Sequence, residues 1–429
     1  MWVMMVFVAL LGTALVTEQN ARRRTWLLWA APLPALGAAL WAYAKPSADT
    51  VFQAPSILLG LQWQLNPTFV PLLIMTALLW ALAGFFASRD FQPKGNELKP
   101  HVARFLRCWL LTLTGNLGLL VAQDIASFYL FFALMTFAAY GLVIHDETRE
   151  AIRAGKIYII MAIIGEAFIL AGLIAAAASV GGEHTPLMSE LPQGIAGSEH
   201  GLWIATALFI GFGVKAGLAG VHWWLPLAHP VAPTPASAVL SGAMIKAGLV
   251  GWLLTLPLGS LEGSLINLNG LANAAIALGL IGAWGAAFVG VLSDKAKAVL
   301  AYSSISQMGM LTFALGIALK FPDTAPYLIA AIVIFACHHG INKGLLFLGV
   351  GWRKAASPGV ATIVTMALLA VPALNLIGVP FSSGEYAKDS IKAVLSDLPV
   401  GALYALFSYG ALATTALMVK FAYLLWHRR

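Results

Sequence analysis

Residues 211–253 read GFGVKAGLAGVHWWLPLAHPVAPTPASAVLSGAMIKAGLVGWL. Two lysines, two histidines and four prolines interrupt what is otherwise bilayer-grade apolar sequence. A lysine at the centre of a membrane helix costs about 2.5–3.5 kcal/mol on insertion scales, so Lys215 and Lys246 require a polar cavity or an ion partner. Pro226, Pro230, Pro233 and Pro235 withdraw backbone donors and break the helix between the two lysines. Broken helices at membrane depth persist only where they are buried in protein or line a water-filled cavity. Lysines flanking such a break point to an ion path, and so to a transport protein.

The rest of the chain supplies a membrane context for that stretch. Of 429 residues, 60% are hydrophobic and 10% charged, with a mean hydropathy of +0.85. Soluble domains carry about 25% charged residues, so the fold class is an all-α polytopic membrane protein. The net charge of +7 is expected in cytoplasmic loops facing the lipid bilayer rather than in a nucleic-acid site. Cys108 and Cys337 lie in apolar segments without CxxC spacing, so no thiolate-held cluster or zinc is expected and the chain is read as carrying no cofactor.

Apolar runs predict spans at 2–16, 25–44, 67–87, 104–122, 125–144, 156–179, 202–220, 236–256, 268–292, 298–319, 326–351, 360–379 and 401–426, about thirteen crossings in all. The first precedes Arg22, Arg23 and Arg24, the reverse of a signal peptide, which predicts an uncleaved helix with its N-terminus outside. Alternation then puts the Arg89–Arg107 segment, His145–Lys156, Lys295 with Lys297, Arg353 with Lys354, and the C-terminal His427, Arg428 and Arg429 in the cytoplasm. The outer side receives the Gly181–His200 loop, with Glu183, Glu190, Glu199 and no Lys or Arg. This distribution follows the positive-inside rule. Trp26, Trp29, Trp41 and Trp63 fall near span ends, as interface anchors do.

A second interruption lies at 375–392, NLIGVPFSSGEYAKDSIK. Gly378, Pro380 and Gly384 break an apolar run, and Glu385 and Lys388, three apart, share a helix face and can pair. Two interrupted, lysine-bearing spans five crossings apart predict inverted repeats. The division is 1–103 for N-terminal helices, 104–256 for a first five-helix repeat and 268–426 for a second.

These segments resemble the antiporter-like subunits of respiratory complex I, group 4 membrane-bound hydrogenases and Mrp-type antiporters. Beside the opening stretch, the likeness rests on DIASFYLFFALMTFAAYGL at 124–142, KAVLAYSSISQMG at 297–309, HHGINKGLLFL at 338–348 and GVPFSSGEYAKD at 378–389. It covers most of residues 104–392. The resemblance implies a proton- or sodium-translocating membrane subunit in a bacterial inner membrane, not catalytic alone, with other membrane subunits and a peripheral enzyme module as partners. It assigns the polar axis to Lys215, Lys246, His339, Lys343 and Lys388, and it implies that a last helix found in many relatives is absent after Arg429. A glutamate that pumping members carry in the span after DIASFYLFF is replaced here by Ala133. Glu166, in the next span, is the expected substitute partner for Lys215.

Other readings stay open at this stage. Lys388 could be held by Glu385 alone. His222 and His229 could cap backbone groups freed by the prolines, or relay protons. His338 and His339 could hydrogen-bond neighbouring helices. Glu166 could pair with another subunit. Asp124 is expected to cap a helix, and Lys420 to snorkel. Two further functions also remain: energising a non-redox inorganic-carbon uptake complex with a large peripheral zinc protein, and a non-conducting membrane scaffold.

Overall fold

A computed structural model describes residues 2–45, 51–57, 60–91, 101–181, 185–260 and 263–427, the side chains of 2–7 aside. Glu183, residues 92–100 of the Arg89–Arg107 segment and the terminal Arg428 and Arg429 lie outside the described residues. The N-terminal part carries α1 (Trp2–Ala14), α2 (Leu27–Ala30), α3 (Leu33–Ala44) and α4 (Val70–Asp90). Then come α5 (Val102–Gly118), α6 (Ile125–Val143), α7 (Arg149–Val180), α8 (Leu191–Ala196) and α9 (Gly201–Ala216). The broken stretch supplies α10 (Trp224–Val231), α11 (Thr234–Val239) and α12 (Lys246–Thr255). Last are α13 (Asn269–Val291), α14 (Ala296–Lys320), α15 (Ala325–Ala355), α16 (Val360–Ile377), α17 (Ser383–Ser396) and α18 (Gly401–Trp426).

Ten helices among the described residues are long and apolar enough to cross a membrane. Three expected spans correspond to shorter helices: α1, α5 and α9 have 13, 17 and 16 residues. At 1.5 Å per residue α1 reaches about 20 Å, less than the roughly 30 Å hydrocarbon core. The α9 helix is cut short by Gly217, whose φ of 83° turns the chain where an L side chain would be strained.

Among the described residues, one two-stranded hairpin departs from the otherwise helical architecture. Strands β1 (Phe52–Ala54) and β2 (Leu61–Trp63) pair antiparallel with Phe52 opposite Trp63. The backbone of 62–64 also binds the segment before α6: the Gln123 N–H donates to the Gln62 carbonyl, and the Gln64 N–H to that of Val121. Asp124 caps α6 through the Ser127 N–H at 2.7 Å, as its position before an apolar run predicts. Trp63 does not act as an interface anchor. It is buried beneath the hairpin, with its indole N–H donating to Ser127 Oγ at 3.1 Å, whereas Trp26, Trp29 and Trp41 are exposed.

Burial locates the centre of the molecule. The most apolar windows of α14 and of the Thr234–Thr255 segment are 94% buried, against 22% for α16 and 33% for α18. The hydrophobic effect does not drive association in lipid, so close backbone approach has to carry the packing. Helices α13 and α14 supply it through Gly279 and Gly309. A Cβ on either glycine would lie 2.5 Å from a backbone nitrogen of the facing helix. Of the two most enclosed segments, Thr234–Thr255 carries Lys246 and α14 supplies the Leu300 carbonyl that Lys343 binds. Lys420, on α18, reaches the Asp294 carboxylate at 3.7 Å with its side chain mostly covered.

Candidate functional site

Lys215 closes the first half of the broken span. It lies in the last turn of α9 and is buried. The break frees carbonyls, and other groups take them. The indole N–H of Trp224 donates to the Val214 carbonyl at 2.8 Å, and Gly217 and Leu218 both donate to Gly213. Lys215 is therefore not consumed in capping its own helix. Its ammonium lies 3.4 Å from Tyr158 Oη, which donates in turn to the Thr136 carbonyl at 2.7 Å. The same ammonium sits 5.7 Å and 6.0 Å from the ring centroids of Tyr158 and Trp224, a cation–π setting.

These side chains line a cavity of about 20 Å³, room for about one water molecule. Its wall holds both Glu166, from α7, and Lys215. From α6 it takes Phe132 and Thr136, the neighbours of Ala133 on that helix. The buried carboxyl of Glu166 thus enters from α7 the site that also contains Lys215. Tyr158 and Thr136 carry no sequence signal of their own, because only tertiary packing brings them to Lys215.

Beyond Lys215, the prolines leave more backbone to satisfy. Pro233 has no N–H to offer the His229 carbonyl, and Ser237 Oγ takes it instead at 3.0 Å. Lys297 Nζ donates to the Ala232 carbonyl at 2.7 Å. His229 is fully buried and stacks on Phe347 of α15, with ring centroids 4.6 Å apart. His222 is half-buried on the turn between α9 and α10. The His222 side chain hydrogen-bonds the Leu218 backbone, the His229 side chain is not seen capping, and other carbonyls freed at this break are met by Trp224, Ser237 and Lys297.

Lys246 follows a one-turn π-helix, Leu240–Met244, in which the Ile245 N–H reaches back five residues to Leu240. Such a widened turn releases a carbonyl from the ordinary ladder. The Lys246 ammonium binds that of Ser241 at 2.7 Å. On α15, His339 and Lys343 are four residues apart and fully buried. Lys246, His339 and Lys343 lie within electrostatic range of one another. Neither ring nitrogen of His339 meets a hydrogen-bond partner among the described residues. An unpaired buried polar group costs about 1–3 kcal/mol, so its retention asks for a use.

The second break is built differently. Lys388 does not pair with Glu385. Its ammonium donates to the carbonyls of Leu376 and Ile377 at 3.0 and 2.6 Å, capping the C-terminus of α16 where Gly378 turns left-handed. Glu385 instead serves the start of α17 in a variant of the capping box that reaches one residue before the N-cap Ser382. Its Oε2 accepts the Phe381 N–H at 2.6 Å, while Ser382 Oγ accepts the Glu385 N–H at 3.2 Å. The two side chains share a helix face as spaced, but each has a nearer orphaned backbone group to serve. His338 joins this region to α15: its Nδ1 lies 2.9 Å from Ser383 Oγ and 3.2 Å from Asn342 Nδ2, and Asn375 Nδ2 donates to Asn342 Oδ1.

The structure thus brings Lys215 and Glu166 together, gathers Lys246, His339 and Lys343 at the centre, and sets Lys388 and Glu385 at the second break. Comparison with known proteins identifies the family to which this fold belongs. A family model described as NADH:quinone oxidoreductase/Mrp antiporter, transmembrane, matches residues 122–414. Hydrogenase-4 component B of Escherichia coli is 28% identical over 296 residues, 66% of this chain and 41% of that one. NADH-ubiquinone oxidoreductase chain 5 of Podospora anserina is 27% identical over 372 residues, 83% of this chain and 53% of that one. The chain spans about half the length of the curated relatives it matches. A solved Mrp complex from a Dietzia species contains a chain of the same fold, with a TM-score of 0.82 at 20% identity over 98% of this chain and 78% of that one. With well over half of its residues matched by the family model, this chain belongs to the NADH:quinone oxidoreductase/Mrp antiporter transmembrane family.

Proposed function

We propose that the chain translocates protons, with sodium as the alternative ion, as a membrane subunit of a multi-subunit redox-driven complex of the complex I and membrane-bound hydrogenase type. The observation that carries this reading is the placement of buried lysines at helix defects: Lys215 ends α9 at a break, Lys246 follows a π-turn, and Lys388 caps a break. Buried lysines on interrupted membrane helices are costly, and a stable scaffold has no need of them. The path runs through Lys215, Lys246, His339, Lys343 and Lys388, with half-channels meeting it at the two breaks. His222 and His229 line the first break, and Glu385 shapes the second. The breaks belong to two inverted repeats, 104–256 and 268–426, in a bacterial inner membrane with the N-terminus outside and the C-terminus in the cytoplasm. Redox chemistry belongs to a partner module.

Glu166 takes the part of the carboxylate missing at Ala133. A carboxylate near a lysine favours the charged form, and its approach or separation is what would switch the lysine. The carbon-uptake reading leaned on the absence of that carboxylate; with Glu166 on the wall of the Lys215 cavity, the redox-type reading is the better supported. A mild-detergent pull-down of the chain from native membranes, with metal assay of what co-purifies, tests it. Iron with hydrogenase-like or complex-I-like partners is the expected result. A large zinc-bearing peripheral partner with no iron above background would contradict the redox assignment.

A further inference from the structure

Lys246 and Lys343 are on different helices, yet their seats are joined. Lys246 Nζ donates to the Ser241 carbonyl at 2.7 Å, and Lys343 Nζ to the Leu300 carbonyl at 2.9 Å. Between these seats, Ser241 Oγ and Ser304 Oγ are 2.7 Å apart, and Ser304 Oγ lies 3.0 Å from the Leu300 carbonyl. Both serines and both lysines are buried. A chain of hydrogen bonds therefore runs from the π-turn, across α14, to α15.

Donor and acceptor capacity decides how this bridge behaves. Leu300 lies inside α14, so its carbonyl accepts the helical N–H of Ser304. A carbonyl oxygen has two lone pairs, and a serine hydroxyl has one proton. Lys343 and the Ser304 hydroxyl thus compete for the one remaining place on Leu300. With Lys343 seated, both Lys343 Nζ and Ser304 Oγ stand within donating distance of that carbonyl, and the crowding favours turning the Ser304 proton to the nearer Ser241 Oγ. When Lys343 moves off, Ser304 donates to Leu300 and accepts from Ser241. Either way, the Ser241 hydroxyl dipole is reoriented beside the carbonyl that holds Lys246.

We propose that the Ser241–Ser304 hydroxyl pair is a toggle that reports the seating of Lys343 to the seat of Lys246, with Ser304 as a positioning residue. Its use rests on the ion-translocating reading above, while the toggle itself is a property of the hydrogen bonds. Direct charge effects act in parallel. Cys337, His338 and His339 face Lys246 together with Lys343, and His229 and His339 face Lys343. A double-mutant cycle removes that background.

The experiment uses the intact complex with 15N-labelled lysine, following the Lys246 Nζ signal through a pH titration, with Lys246→Met to assign it. Lys343→Met is expected to move the Lys246 midpoint. In a Ser304→Ala background that movement should fall to half or less, whereas Ser304→Thr, which keeps the hydroxyl, should preserve it. Equal movements in the Ser304→Ala and wild-type backgrounds overturn the toggle. If Ser304→Ala fails to assemble, Ser241→Ala cuts the same bridge from the other side and is read in the same way. Proton flux on the same preparations separates the two claims. A hydroxyl-dependent movement without lysine-dependent flux would keep the toggle and sink the transport role.

Discussion

The two broken helices look alike in sequence, each a glycine- and proline-interrupted apolar span with a lysine, but they use their lysines in opposite ways. At the first break, Trp224, Ser237 and Lys297 take the freed carbonyls. Lys215 is left facing a cavity that also contains Glu166. At the second, Lys388 itself takes the carbonyls of Leu376 and Ile377, and the nearby Glu385 is occupied with the Phe381 N–H. A lysine relieved of capping can change partner at little structural cost. A lysine that caps moves only when the helix end opens, so Lys388 takes part in the path only with that opening. The difference teaches that a broken membrane helix is defined by who satisfies its backbone, and that this choice decides whether its charge is a switch or a brace.

The largest expected effect tests the switch. Glu166→Gln should abolish ion-linked activity, while Glu166→Asp should retain part of it, both read as proton flux in membrane vesicles. A fully active Gln variant would remove Glu166 from the account of the first break.

The brace is tested by stability. Lys388→Met orphans two carbonyls, and the desolvation cost of an unmet buried acceptor is about 1–3 kcal/mol, so a clear fall in the thermal unfolding midpoint in detergent is expected. Lys215→Met combined with Glu166→Leu removes one 3.4 Å contact and both buried charges of the cavity. Replacing buried charges by apolar groups of similar volume is often neutral or stabilising, so the same midpoint should hold or rise. Equal losses for the two variants would erase the distinction between switch and brace.

The sequence made the breaks visible because proline and glycine act on the backbone directly, and it made the lysines visible because charge is rare in apolar spans. It could not show the acceptors. Lys246, Lys343 and Lys388 all bind main-chain carbonyls, and every residue has one, so no side-chain pattern marks which is free. For the same reason the spacing of Glu385 and Lys388 suggested an ion pair that the structure replaces with two separate caps. Glu166 was legible as a charge out of place. Tyr158, Trp224 and Ser304 were not, since each resembles ordinary helix filling until the packing is known. The span count was blurred at α1, α5 and α9, where short helices leave hydropathy at the margin of a crossing.

The smallest expected effect sets the floor of the comparison, at an ion pair outside both breaks. Glu147 accepts a hydrogen bond from Arg104 and lies 3.3 Å from His101. The Arg104 hydrogen bond, followed by the charges of Arg104, His101 and His145, holds its carboxyl below the ordinary glutamate value. A carboxyl depressed in the folded state adds stability above its unfolded pKa and loses it as pH falls through the folded one. Glu147→Gln should therefore be slightly less stable than wild type at neutral pH and indistinguishable from it in acid below the glutamate range. With Glu147 exposed and Arg104 partly so, the pair should also fade with added salt. A difference that survives in acid would show that Glu147 acts by something other than charge.

The central claim is that ions pass by way of the buried lysines, and the most direct test is proton flux in inverted vesicles carrying the assembled complex with Lys246→Met. Loss of flux, with the subunit still present in the complex at wild-type level, is the predicted result. Undiminished flux, with the host phenotype unchanged, would contradict the claim and leave the chain as a membrane scaffold.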